Sequence, residues 1–356
     1  MSSNAADGQP DHTRVAVHQS PASRVLVGHG ACGLVADEAA RTGARRVLLV
    51  ATPSASVAAE GVAEDLGPRL AARFDRPAPH TPVSVTTRVM ELVGRTGADC
   101  VVAIGGGSAI GLSKALAART GVPQVAVPTT YAGSEATPVL GETENGVKTT
   151  RRDPALTPGT VVYDPDLTLA MPPGLTRTSA MNALAHAVEA LWAPDATMFT
   201  DALATEAAGG ILSSLPEVLD SPSDPDARAR LQSAAWLAGT CLARTKMGLH
   251  HQLAHVLGGA FDLPHAELHT MLLAPVMEFN LPAAPDAAAR LARAAGADPV
   301  AAVSALARAH EGPTTLRELG VDRSRLREIA ERVADDPYPN PRPPTVEELV
   351  RLLSRI

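Results

Sequence analysis

Six of the chain's eleven histidines, His186, His250, His251, His255, His265 and His269, fall in one stretch that opens at Asn182. Asn182 and His186 are four residues apart, as are His251 and His255, so on helices each pair shares one face, one turn apart. His265 follows a Gly258-Gly-Ala-Phe-Asp-Leu-Pro264 segment that can turn the chain back toward the same place. Imidazoles gathered in this way either bind a divalent metal or move protons near neutral pH. Any one of them alone is as often an ordinary core or surface group. The set together is hard to explain without a site.

A second cluster precedes it. Residues 99–104 form the clearest strand pattern in the chain, and Gly105, Gly106, Gly107 and Ser108 follow at once, opening a helix that runs through Lys114. Glycines at such a turn let the backbone approach a phosphate, which the free N–H groups of the helix start can then bind. The pattern is neither Gly-x-Gly-x-x-Gly nor a P-loop, and three glycines alone make an equally good plain turn. Position favours a ligand, because open α/β sheets bind at the carboxyl ends of their strands. The next strand, 124–127, also ends in a polar turn, residues 128–134, which carries Thr129, Thr130 and Tyr131.

The elements that must hold these clusters are of two kinds. Strand patterns at 23–28, 46–51, 71–74, 99–104 and 124–127 alternate with helical stretches at 32–42, 57–66 and up to 96, which predicts βαβ units around a mostly parallel sheet. After Pro172-Pro173-Gly174 the pattern is helical throughout, with helices expected at 180–193, 201–214, 227–245, 249–257, 271–280 and 287–295. A last helix opens at the Thr345-Val-Glu-Glu348 capping box, behind a proline-rich linker at 336–344. The expected division is a disordered tail at 1–20, an α/β dinucleotide-binding domain at 21–174 and an all-α catalytic domain at 175–356. At 356 residues two domains are the natural expectation.

Composition removes several functions. With 45% hydrophobic and 19% charged residues the chain is globular, and at 3% aromatic content its core must be packed with small aliphatics. A net charge of -7 with no basic run argues against nucleic acid. No apolar run approaches the roughly 18–20 residues that span a membrane. The N-terminus lacks the basic and apolar regions of a signal peptide. Cys32, Cys100 and Cys241 are odd in number and in no metal spacing, so the cytoplasm is the expected compartment.

Gly105-Gly-Gly-Ser108, Pro128-Thr-Thr-Tyr-Ala-Gly-Ser-Glu135, Asn182-x-x-x-His186, His251-x-x-x-His255 and Pro264-His265 resemble the iron-containing (group III) alcohol dehydrogenase superfamily, whose fold is shared with dehydroquinate synthase. Residues 137–150 and 249–265 are similar to its maleylacetate reductase branch, and the likeness runs over about residues 20–355. It implies a homodimer with a nicotinamide in the cleft between the two domains. Gly105, Gly106, Gly107 and Ser108 then serve the pyrophosphate, with Thr129, Thr130 and Lys114 along the cofactor. The superfamily's metal-ligand positions fall on Asn182, His186, His251 and His265, and His255 takes the place of a proton-relaying histidine. The first of those ligands is elsewhere an Asp. An uncharged amide at Asn182 holds a cation less well, so a site without a catalytic metal is the expectation.

The branch implies NAD(P)H-dependent reduction of the conjugated double bond of maleylacetate to 3-oxoadipate, a step in the breakdown of aromatic compounds. Hydride added β to the ketone leaves an enolate, which needs an oxyanion partner and a general acid. His186, His251, His255, His265 and Asn182 are the candidates. The substrate is a small dianion, for which Lys148, Lys246 and Tyr131 are candidate contacts. The turn at 50–54 has no acidic residue to bind a ribose 2′-OH, so NADPH stands beside the expected NADH. Two rivals share the scaffold: a metal-dependent alcohol or aldehyde oxidoreductase, and a non-redox biosynthetic enzyme.

Overall fold

Strands with two apolar faces build the centre of the molecule. In the computed structural model, which describes residues 23–309 and 312–356, β2 (Val47–Ala51), β4 (Cys100–Gly105) and β5 (Gln124–Pro128) are buried along their whole length. The tail expected at 1–20 lies outside the described residues. Alternate side chains serve opposite faces, as strand geometry requires. Leu49, Val102 and Val127 pack with α1 (Val35–Arg41) and α2 (Ser56–Leu66). Leu48, Val101 and Ala126 pack with α3 (Val83–Thr96) and α4 (Gly107–Thr120) on the other face. Each fully buried Val or Leu contributes about 1.5–3 kcal/mol, so Val102→Asp, a charge between these layers, would break the sheet.

The sheet has six parallel strands in the order β1 (Arg24–Val27), β8 (Thr160–Tyr163), β5, β4, β2, β3 (Leu70–Phe74). The order changes direction between β2 and β4, which puts a crevice at their carboxyl ends. Two pieces had not been expected from the sequence. β8 is only four residues long, and it slots between β1 and β5. β6 (Val139–Glu144) and β7 (Val147–Arg152) form an antiparallel hairpin, closed by Asn145 and Gly146, both at positive φ. Asn-Gly is the standard two-residue hairpin turn.

After β8 the described residues hold helices only: α5 (Pro173–Ala190), α6 (Met198–Asp220), α7 (Pro225–Arg244), α8 (Leu249–Phe261), α9 (His265–Asn280), α10 (Pro285–Ala295), α11 (Pro299–Arg308), α12 (Leu326–Asp335) and α13 (Val346–Ser354). One apolar core joins α5, α6 and α7, and a second joins α8, α9, α12 and α13. α9 begins at His265, six residues before the expected start, so His265 and His269 lie one turn apart on it. The expected capping box at Thr345 and Glu348 is present.

The proline-rich stretch at 336–344 is a packed support rather than a free linker. Tyr338 packs on the second helical core, and Asn340 exchanges amide hydrogen bonds of 2.8 and 2.9 Å with Asn280. The Pro339 carbonyl abuts Gly248 so closely that a Cβ there would sit 2.7 Å from it. Only glycine permits that approach, at the residue where α8 begins.

Candidate active site

α5 presents Asn182, His186 and Glu189 at four- and three-residue spacings, one face of one helix. Glu189 is fully buried and meets the start of α8, where the N-cap residue Gly248 has no side chain to cap the helix. Its carboxylate does that work. Oε2 accepts from the Gly248 amide at 2.9 Å and the His251 amide at 3.4 Å, and Oε1 from the His250 amide at 2.9 Å. The same Oε2 lies 2.7 Å from His251 Nδ1. Burial holds the Glu189 carboxyl above its ordinary value, against the opposing pull of His250 and these amides. The amides and the positive end of α8 favour the ionised carboxylate. His251 then donates Nδ1–H to Glu189 and turns an unprotonated Nε2 away from it.

The remaining imidazoles assemble around this pair. The His186 and His251 rings stack at 5.1 Å. His265 Nε2 lies 2.9 Å from His269 Nε2, and His269 Nδ1 lies 2.7 Å from His250 Nε2, a chain of three rings. His255 stacks on His265 at 5.7 Å. His186, His250, His251 and His269 are buried, whereas His255 and His265 reach solvent. Burial lowers the pKa of all six, first among the causes, and the neighbouring rings lower most of them further: His265 to about 4, His250 to about 3 and His186, His251 and His269 well below the ordinary value. At neutral pH the site is lined with uncharged imidazoles. Asn182 Oδ1, His186 Nδ1 and His251 Nε2 are buried without a hydrogen-bond partner among the described residues.

The sheet supplies the facing wall. Gly105 has φ 148, and a Cβ there would fall 2.6 Å from Thr52 at the end of β2, so the turn at the crevice requires glycine. Gly106 packs on Thr130, while a Cβ on Gly107 would meet nothing within 4 Å. α4 starts with no side-chain cap, which leaves the first N–H groups for an anion. Gly133, at φ 75 in the turn after β5, approaches both Gly239 of α7 and His186 Nδ1. The two turns expected to serve a dinucleotide therefore run from the open helix start at Gly107 and Ser108, past Thr129 and Thr130, to the edge of the histidine cluster.

Three residues with expected ligand roles stand elsewhere. Lys114 is buried, and its ammonium donates to the carbonyls of Ser134, Thr137 and Val139 and to Thr137 Oγ1, at 2.5–3.0 Å. An ammonium has three protons, so nothing remains for a cofactor; Lys114 is a strut that pins the turn after β5. Tyr131 belongs to the core of α5–α7, and its hydroxyl receives Arg228 at 3.3 Å. Its bulk packs instead of reaching substrate. Lys246 is exposed just before α8, and its backbone amide binds Asp195. Lys148 on β7 is exposed, and it is close enough to His255 and His265 to disfavour charge on both. Glu189 had been missed, though its spacing from Asn182 and His186 was legible. His250 and His269 had been counted without a role.

Dinucleotide crevice and imidazole cluster together define an oxidoreductase of the group III alcohol dehydrogenase fold. Comparison with known proteins agrees. Residues 22–165 match the iron-containing alcohol dehydrogenase family, and residues 176–356 match the C-terminal part of the Fe-containing alcohol dehydrogenase family. A maleylacetate reductase of Rhizobium sp. (strain MTP-10005) is 44% identical over 339 residues, covering 95% of this chain and 97% of that one. The crystal structure of maleylacetate reductase from Agrobacterium tumefaciens superposes with a TM-score of 0.92 at 42% identity, covering 96% of this chain and 98% of that one. That of a putative alcohol dehydrogenase from Ralstonia eutropha JMP134 gives 0.93 at 43% identity, with the same coverage. The chain belongs to the iron-containing alcohol dehydrogenase family, within its maleylacetate reductase branch.

The family name implies iron, and the donors here do not fit it. The position filled by a carboxylate in the metal enzymes is the neutral Asn182. Glu189, the carboxylate among these rings, is occupied by His251 and three backbone amides. His250, His251 and His269 place ring nitrogens within 4.8 Å of one another. His250 Nε2 and His269 Nδ1 are only 2.7 Å apart, so they share a proton instead of each offering a lone pair to a cation. His265 is paired with His269 in the same way, which leaves His186 Nδ1 and His251 Nε2 with only the neutral Asn182 to complete a set.

Proposed function

We propose that the cleft binds NADH or NADPH on the Gly105–Ser108 turn and reduces the carbon–carbon double bond of maleylacetate that is conjugated to its ketone, giving 3-oxoadipate. The observation that carries this reading is the placement of uncharged imidazoles, with unpaired Nδ1 of His186 and Nε2 of His251, beside the end of a turn shaped for a dinucleotide. Gly106, Gly107 and Ser108 hold the pyrophosphate, and Thr129 and Thr130 lie along the cofactor. When bound there, a reduced nicotinamide supplies a hydride. The turn after β2 carries Thr52 and Ser54 and no carboxylate, so nothing at that point repels a 2′-phosphate.

The chain's own residues handle charge and protons. Negative charge develops on the ketone oxygen, and a neutral imidazole N–H is a suitable donor for it, stronger in a site that excludes water than in solution. His255 and His265 are the donors open to solvent, so they are also where a proton can be replenished for the neighbouring carbon. Glu189 holds His251 in one tautomer, and no catalytic metal takes part. This reading carries with it a two-domain division near residue 174 and a homodimer in the cytoplasm. Mixing purified protein with maleylacetate and either reduced cofactor, and following absorbance at the reduced-nicotinamide band, tests it. Oxidation should be fast with at least one of them; no oxidation with either overturns the assignment.

A further inference from the structure

The substrate so assigned carries two carboxylates, yet the floor of the site offers them an amide and uncharged rings. A buried or half-buried carboxylate needs a cation or several N–H donors. Those must come from the rim.

The rim is shaped by a strained turn. Between β3 and α3, His80 has φ 61 and Thr81 has φ 45. A β-branched residue in the left-handed region is a genuine outlier, kept only where its surroundings impose it. Here they do. Thr81 is buried with Oγ1 against Gly111 of α4, where a Cβ would meet it at 2.3 Å. Its carbonyl accepts the Thr143 amide at 3.3 Å, and Pro82 bridges the same residue. Thr143 in turn sits directly opposite Lys148 in the hairpin, and Lys148 Cε lies over Gly141, 3.3 Å from the place of a Cβ. One connected path thus fixes the turn that carries His80 beside the strand that carries Lys148. Both side chains are exposed, and neither has a protein partner among the described residues. Thr81 packs on α4 one turn past its open start at Gly107, which sets this turn beside the crevice, and both His80 and Lys148 are near enough to His265 to disfavour charge on it.

We infer that His80 and Lys148 together form the subsite that grips one carboxylate of the substrate, with the strained His80–Thr81 turn serving to aim the imidazole. This rests on the reading of maleylacetate as substrate. Lys148 contributes a charge, and His80 contributes an N–H in either protonation state. The subsite makes the enzyme selective for dicarboxylates over monocarboxylates of the same length.

Steady-state kinetics on the whole protein test this. His80→Asn keeps a residue that tolerates positive φ while removing the imidazole, and Lys148→Gln removes the charge. Each should raise KM for maleylacetate by about tenfold, and the double variant by about a hundredfold, the size of one or two lost charge-assisted contacts. kcat, KM for the dinucleotide and Tm should stay close to wild type, and Lys148→Arg should recover most of the loss. Inhibition by fumarate relative to crotonate should collapse toward equality in the double variant. An unchanged KM for maleylacetate, a fall confined to kcat, or an equal rise in dinucleotide KM overturns the subsite while leaving the proposed reaction standing. No turnover of maleylacetate by wild-type protein overturns the reaction, and the subsite falls with it.

Discussion

The molecule contains two buried polar networks, and they differ in one respect. In the first, Lys114 spends its donors on Ser134, Thr137 and Val139, while Glu135 beside it accepts the Tyr163 hydroxyl at 2.8 Å. In the second, Glu189 and the histidines are linked as tightly, yet Asn182 Oδ1, His186 Nδ1 and His251 Nε2 have no partner among the described residues. Burying an unpaired polar atom costs about 1–3 kcal/mol, and three of them gathered on α5 and the stacked His251 ring call for a ligand. Of these two networks, the saturated one is scaffold and the open one lines the site. Both contain titratable groups moved far from their ordinary values, which shows that a shifted pKa alone does not separate the two.

Removing a member of each network is the sharpest test of that contrast. His251→Ala should lower kcat by about 10²–10⁴-fold, the usual size for a lost acid–base group, and it also costs stability because it leaves the buried Glu189 a partner short. Lys114→Met should leave kcat close to wild type. It strips four oxygens of their donor and should lower stability by about 3 kcal/mol in denaturant unfolding, with KM for the dinucleotide nearly unmoved. Were the Lys114 variant stable and blind to the cofactor, the lysine would belong to the site and the contrast would fail.

Glu189→Gln probes the join between scaffold and chemistry. The amide still accepts from the α8 start but no longer fixes His251 by charge. A loss of about 10–100-fold in kcat is expected, as for the partners that orient ligating or catalytic histidines, together with a shifted pH profile. A wild-type profile would reduce Glu189 to a helix cap.

Acid sensitivity separates the networks along the pH axis. Folded His250 takes up a proton only at about 3, whereas the unfolded residue does so near 6.5. Between those values the unfolded state binds more protons, so stability falls as pH falls, by up to about 1.4 kcal/mol per pH unit for each such histidine. Lys114, lowered by burial to about 7 from 10.5, acts in the alkaline window: there too the unfolded state holds more protons, and stability rises with pH. Denaturant unfolding across pH should show both limbs. Lys114→Met should flatten only the upper one.

How much of this could be read beforehand follows the same division. The strand at Cys100 and its glycine turn were plain because two-faced burial writes a continuous apolar run. The helical half was plain from its periodicity. The histidines announced a site because six of them crowd one stretch, but which would pair depended on α9 starting at His265, and a helix start is the least legible feature of a sequence. Lys114 was misread because an ammonium just past a glycine turn looks like a phosphate ligand until its four oxygens are seen. The Asn145-Gly146 hairpin was written in the sequence but passed over. His80 was invisible, since positive φ at His and Thr is imposed by Gly111 and Thr143 from distant parts of the chain.

The smallest expected effect bears on the family's name. If two open imidazoles and a neutral amide are too weak a set for a cation, dialysis against EDTA leaves kcat unchanged, and added Fe²⁺ or Zn²⁺ does not raise it. Asn182→Asp supplies the missing charge beside His186 and His251, where a carboxylate can offset part of the cost of desolvating a cation. That variant should bind zinc measurably more tightly than wild type in a dialysis and elemental-analysis experiment, while its reductase activity falls, because a metal on His251 Nε2 removes the atom the reaction needs. Loss of wild-type activity on chelation, restored by a divalent ion, would instead mean that Asn182 and the rings gather a cation as they stand, and that the unpaired atoms mark a metal site and not a substrate one.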